Sequence, residues 1–238
     1  MKRLFGSRLS MPSASARWTI AAAVVVVALV VAIWPRDSND GSSTENAQSA
    51  QVSSATDGAN TAGVATPTGT PGELAAARSA AALEPCRVGG SPQVAKLAGI
   101  TAECLGDAAT VAMAGITQGR PTVLNFWAAW CAPCREELPV MQDFARASGD
   151  KVTVMTVHAR DGAQDPIAAL ALLRDLGVHL PAVLDSRGQI AGALGVPPVL
   201  PTTVLIRADG SVAKVVPTVF TSVDQIRSTV ADALGVSL

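Results

Sequence analysis

Cys131 and Cys134 stand two residues apart in the stretch "LNFWAAWCAPCREELP" (124–139). A pair at this spacing can ligate a metal, staple the chain, or open and close as a dithiol. A structural zinc site wants a second pair of ligands at knuckle spacing. The other two cysteines, Cys86 and Cys104, have seventeen residues between them, and His158 and His179 fall in no such pattern. A c-type haem attachment wants histidine directly after the second cysteine, where this chain has Arg135. As a permanent staple, so short a loop removes little chain entropy. The pattern points to a redox-active disulfide that needs neither a metal nor an organic cofactor.

That chemistry depends on where the pair sits. "PTVLNFWA" (121–128) is a mostly apolar run after a Gly-Arg-Pro turn and reads as a buried strand. "APCREELPVMQDFARASG" reads as a helix with acids in its first turn and Gly149 beyond its end. The cysteines thus fall at a strand-to-helix junction, where unpaired amides and the positive end of the helix dipole stabilise a thiolate. Its pKa is expected below the free value of about 8.5. Cys131, at the very start, is the expected exposed nucleophile, and Cys134, one turn further in, resolves the mixed disulfide. Pro133 sits early in the helix, where a missing N–H does no harm.

The rest of the domain supplies the frame. "KVTVMTVH" (151–158) reads as a strand, "DPIAALALLRDLG" as a helix closed by Gly177, and "PAVLD" (181–185) as a short strand. "TTVLIRADGSVAKVVP" reads as two strands across an Ala-Asp-Gly-Ser turn. "SVDQIRSTVADALG" is a final helix with Ser222 as N-cap, and "DAATVAMAGI" (107–116) can add a hairpin at the amino edge. Strands alternating with helices imply an α/β fold with a central, mixed sheet flanked by helices. A short helix in "ELAAARSAAALEP", stopped by Pro85, stands at the entrance to this domain, assigned to 74–238.

The amino-terminal third has a different character. Lys2, Arg3, Arg8 and Arg17 mark a basic segment, 1–17, before an uncharged run from Trp18 to Trp34. As a helix at roughly 1.5 Å per residue this run spans about 25 Å, a little short of a ~30 Å hydrocarbon core. Bracketing tryptophans and basic residues on the amino side predict a single transmembrane signal anchor over 18–34, with 1–17 cytoplasmic and the remainder outside. A cleaved secretory signal is the alternative, but the run is long for one and its Trp34-Pro35 end makes a poor cleavage site. Residues 35–73, rich in Ser, Thr, Ala, Gly and Asn, bury too little to offset their ordering entropy and read as a disordered tether. The formal net charge of −1 gives no reason to expect nucleic acid as a partner.

"VLNFWAAWCAPCREELP", with "LPTTVLI" and "ADGSV" downstream, resembles the extracytoplasmic thioredoxin-fold oxidoreductases of the TlpA/ResA type, a group that includes thioredoxins of cytochrome c maturation. The resemblance covers roughly 111–234 and leaves out the tether. It implies a thioredoxin-like fold and thiol–disulfide exchange through Cys131 and Cys134. It aligns Pro201 with the family's cis-proline, which helps present a bound partner chain; an ordinary strand-start proline is the alternative. Glu137 aligns with a glutamate that tunes the cysteine pair, against the alternative of a solvated first-turn acid. Pro139 takes the place of the kink proline of the active-site helix. Asn125 stands where thioredoxin itself keeps a buried aspartate, which leaves Glu137 or water to accept the proton of Cys134.

Cys86 and Cys104 lie outside that common pattern. In an oxidising compartment two spare cysteines pair, so a structural disulfide is expected, with a second redox pair feeding Cys131–Cys134 as its rival. The implied partners are a protein bearing a disulfide or dithiol, apocytochrome c by family analogy, and a membrane redox protein that resets the dithiol. Running as an oxidant, the same fold inserts disulfides into secreted proteins, and as a non-catalytic anchored module it only binds a partner. A peroxidase of the peroxiredoxin kind would want a Pro-x-x-x-Thr-x-x-Cys loop, and "NFWAAWC" lacks the Thr.

Overall fold

The computed structural model describes residues 69–162 and 165–238. The basic segment, the anchor run and the tether as far as residue 68 lie outside them. Among the described residues no helix is long and apolar enough to cross a membrane.

The core is a seven-stranded mixed sheet. Its strands are β1 (Thr101–Cys104), β2 (Thr110–Ala112), β3 (Thr122–Trp127), β4 (Thr153–His158), β5 (Ala182–Leu184), β6 (Thr202–Ile206) and β7 (Val212–Val216), in the order β2-β1-β5-β4-β3-β6-β7. β3 and β4 run parallel, as do β4 and β5, and every other pair is antiparallel. Both central strands are buried at every position, as befits parallel strands with helices on each face. Among the described residues five helices accompany them: α1 (Pro71–Ala81), α2 (Ala132–Ser148), α3 (Pro166–Asp175), α4 (Gln189–Leu194) and α5 (Val223–Leu234).

Side-chain alternation along the strands divides the core in two. On one face Val123, Trp127, Val154 and Leu205 meet Leu138, Met141 and Phe144 of α2, Leu170 and Leu173 of α3, and Ile226 and Val230 of α5. On the other, Leu124, Phe126, Met155 and Val157 meet Leu97, Met113, Ile190 and Leu194. The helices begin where polar side chains satisfy their free amides: Asp165 accepts Ala168 N–H, Ser222 accepts Gln225 N–H, and Thr70 and Glu73 form a reciprocal capping box.

Most expected elements are in place. The Asp209–Gly210 turn joins β6 to β7, with Gly210 at φ +84°, where a Cβ would also run into the Gln93 carbonyl. A hairpin forms at the amino edge, but only its second strand, β2, falls within 107–116; its first, β1, precedes that stretch, and α4 was not anticipated. α1 starts at Pro71, three residues before the expected domain start at 74, because the capping box fixes its first turn.

Candidate active site

The dithiol sits where β3 gives way to α2. Cys131 is the N-cap of α2: its extended backbone ends the loop, and its sulfur accepts the Cys134 amide at 3.3 Å. Its carbonyl accepts the amides of Cys134 and Arg135. Cys131 and Cys134 form a disulfide, with Cα atoms 5.3 Å apart. The expected exposed nucleophile needs correcting for this oxidised form: Cys131 is only 3% exposed and Cys134 fully buried. Loop packing around the closed disulfide, and not the sequence position, sets that access. What does protrude is Trp130, 63% exposed, just before the dithiol.

Pro201 reaches the same end of the sheet from the other side. Thr202 of β6 pairs with Phe126 of β3, so the chain enters β6 level with the point where β3 leaves toward Cys131. The Leu200–Pro201 bond is cis, as the resemblance implies. Val199, 47% exposed, precedes it, and Thr202 Oγ1 donates to its carbonyl at 2.7 Å.

Glu137 is fully buried, which overturns the solvated alternative. The first turn of α2 holds no acid; Glu137 lies one turn beyond Cys134, on the same face of the helix. Its Oε2 accepts from Asn125 Nδ2 at 2.7 Å and its Oε1 from the Phe220 amide at 2.8 Å. Asn125 Nδ2 also donates to Thr203 Oγ1 at 3.1 Å. Burial raises the Glu137 pKa above the ordinary carboxyl value, and the two hydrogen bonds oppose the rise. Pro139 lies within α2, where its missing N–H interrupts the helical ladder.

His158 joins the site although its spacing gave no sign of it. It ends β4 opposite Trp127, is fully buried, and accepts the Ala129 amide at Nε2 across 3.3 Å. Burial pushes its pKa down to about 4, with Asp165 pulling the other way. Only the register of β3 on β4 brings this residue under the reactive loop. A histidine closing an apolar strand was the one available signal.

Cys86 and Cys104 are also bonded to each other. They belong to the core on the opposite face of the sheet from Cys131 and Cys134. Cys104 pairs with Val183, Val183 with Val157, and Val157 with Phe126; three strand spacings are roughly 14 Å. The two disulfides are thus set on opposite faces of the sheet, with Cys104 three strands away from β3. Among the described residues, no group of three or more His, Cys, Asp or Glu could hold a metal ion.

Residues 95–215, half of the chain, match the AhpC/TSA family. The chain belongs to that family. Its relatives bear the name thiol-disulfide oxidoreductase. It is 37% identical over 100 residues to thiol-disulfide oxidoreductase ResA of Bacillus subtilis (strain 168), covering 42% of this chain and 54% of that protein. To sporulation thiol-disulfide oxidoreductase A of the same organism it is 32% identical over 98 residues, covering 41% and 59%. The match thus spans a little over half the length of these relatives. Among solved structures, MTB DsbF in its mixed oxidized and reduced forms superimposes with a TM-score of 0.51 at 26% identity, over 59% of this chain and 98% of that one.

Proposed function

We propose that this protein is an extracytoplasmic thiol–disulfide oxidoreductase, anchored to the cell membrane through residues 18–34, that reduces disulfides in partner proteins. The observation that carries this reading is the position of Cys131 as the N-cap of α2, its sulfur facing a backbone amide, with Cys134 bonded to it one turn in. In the reduced form the helix amides and dipole stabilise a thiolate on Cys131. That thiolate attacks one sulfur of the partner's disulfide, forming a mixed disulfide and expelling the partner's second sulfur as a thiolate. Cys134, as its own thiolate, then attacks the Cys131 sulfur, closing the Cys131–Cys134 disulfide and releasing the partner's first thiol. The partner gains two electrons and the dithiol loses them. A membrane redox protein must return that pair of electrons for the next cycle.

Glu137 is the proposed acceptor for the Cys134 proton, since Asn125 removes the carboxylate that thioredoxin keeps below the second cysteine. Burial raises the pKa of this carboxyl above its ordinary value, which makes it a better proton acceptor than an exposed glutamate. Trp130 and Val199, exposed on either side of the dithiol in the chain, offer apolar contact to a partner segment, and Pro201 presents backbone to it. By family analogy alone, apocytochrome c cysteines awaiting haem are the specific substrate. Cys86–Cys104 acts as a staple, because its placement across the sheet leaves no direct route to the dithiol.

The reduction potential of the Cys131–Cys134 pair tests the direction of this reaction. It is measured in the full chain by equilibration in thiol buffers, with all four cysteines tracked by alkylation and mass. A value well below about −200 mV, with Cys86–Cys104 oxidised throughout, supports a reductant, and one near −120 mV makes the protein a disulfide-forming oxidant.

A further inference from the structure

The reactive loop rests on an imidazole. The His158 ring lies 4.6 Å from the Trp127 ring, centroid to centroid, at an interplanar angle of 53°. It receives the Ala129 amide at Nε2, and an uncharged imidazole that accepts at Nε2 carries its proton on Nδ1. From the other side the turn Arg160–Gly162 closes over it. A Cβ placed on Gly162 would stand 3.0 Å from His158 Nε2, 3.1 Å from Cε1 and 3.2 Å from Ala128 Cβ. The same turn holds Trp130, whose Nε1–H donates to the Asp161 carbonyl at 3.3 Å, while the Ala159 amide donates to the Trp127 carbonyl at 2.8 Å. Turn, imidazole and loop therefore pack closely against one another, with the loop ending at Cys131.

We propose that His158 is a positioning residue for the redox site: as the neutral Nδ1–H tautomer it fixes the backbone of 128–130, and through it the place of Cys131 and the exposed face of Trp130. Its effect on exchange rests on the reading of Cys131 as the nucleophile. Protonating Nε2 would set donor against donor at the Ala129 amide. The charges around the ring are few. Asp165, at the start of α3, acts on it directly. Arg160 and Asp161 on the turn are exposed and paired with each other at 3.5 Å. Asp185, after β5, is occupied in accepting the amides of Ile190 and Ala191. Glu137 on α2 is engaged by Asn125 and Phe220. β3 and the reactive loop add only the two cysteines.

The test begins with the unmodified, 15N-labelled full chain at neutral pH. Ring nitrogen shifts should report a protonated Nδ1 and a bare Nε2, and the Ala129 amide should be protected from exchange. Loss of the acceptor in His158→Phe should speed Ala129 exchange, and alter the alkylation rate of reduced Cys131 by iodoacetamide, by roughly tenfold each. His158→Gln, whose Oε1 can occupy the acceptor position, should restore both to within about threefold of the wild type. Gly162→Ala, which keeps the histidine but displaces its ring, should move both readouts in the same direction as the phenylalanine variant. An Nε2-protonated ring in the unmodified chain, or unchanged Ala129 exchange in His158→Phe, would overturn the proposal. If Cys131 in the wild type were alkylated no faster than Cys134, the nucleophile reading would fail, and with it the effect on exchange. The tautomer and amide results would still decide the positioning role.

Discussion

Asn125 donates to Glu137 across 2.7 Å in a layer that solvent does not reach. The pair links β3 to α2 one helical turn from Cys134, and the Phe220 amide on Glu137 extends the link to the loop before α5. A lone buried carboxylate would be costly; two donors and a raised pKa make this one tolerable and keep it responsive to protons.

The raised pKa of Glu137 makes the fold's stability depend on pH. A carboxyl that titrates higher in the folded state than its ordinary 4.5 favours its protonated form on folding. Its stabilisation is therefore full below that value and is lost as pH rises through the raised pKa. Glu137→Gln, uncharged throughout, should remove the slope at a cost of about 1 kcal/mol in acid. Urea titrations should show wild type losing stability relative to the glutamine variant as the pH is raised. A difference that stayed constant with pH would mean that Glu137 does not titrate there.

His158 gives the opposite sign. Its pKa falls from 6.5 to about 4 on folding, so the unfolded chain binds the extra proton between those values. Stability should be full above 6.5 and decline on acidification toward 4, by on the order of 3 kcal/mol. In His158→Gln the decline over this window should flatten, as read from denaturation midpoints at a series of pH values.

Cys134→Ser leaves an attacking thiol with nothing to resolve its mixed disulfide. Expressed in the native host, it should accumulate a covalent, thiol-cleavable adduct with a partner protein, whereas Cys131→Ser should accumulate none. Adducts of equal yield on both variants would count against Cys131 as the attacking sulfur.

Replacing Cys86 and Cys104 together by alanine should lower stability by about 3 kcal/mol for a loop of this length. The Cys131–Cys134 potential should stay within a few millivolts of the wild type, because the two bonds lie on opposite faces of the sheet. A large change in that potential would restore the relay.

Much of this arrangement was legible in the residues. The apolar runs of β3, β4 and β6 and the cap Ser222 speak locally, and the CxxC motif announces itself. β1 did not, because four alternating residues between Ile100 and Leu105 are too few to show a period against the turns before them. α4 is held mainly from outside, by Asp185 accepting two of its amides. For Glu137 the solvated alternative stayed open beside the tuning role, because its partners, Asn125 and Phe220, lie 12 and 83 residues away. His158 owes its place to strand register, which no local spacing encodes.

The Cys86–Cys104 bond also decides how the domain meets a pull on its amino end. α1 grips the sheet through Arg78, which donates to Glu103 and to the Leu105 carbonyl. Five residues beyond α1, at Cys86, the chain is joined by sulfur to Cys104, whose strand is hydrogen-bonded to β5. Tension arriving along the chain passes across that bond into the body of the sheet, and the segment between residues 87 and 100 stays slack. With the bond reduced, the same tension would travel through that segment and load β1, which lies between β2 and β5, from its first residue. The disulfide is a mechanical bypass, and its oxidation state sets where the fold first yields.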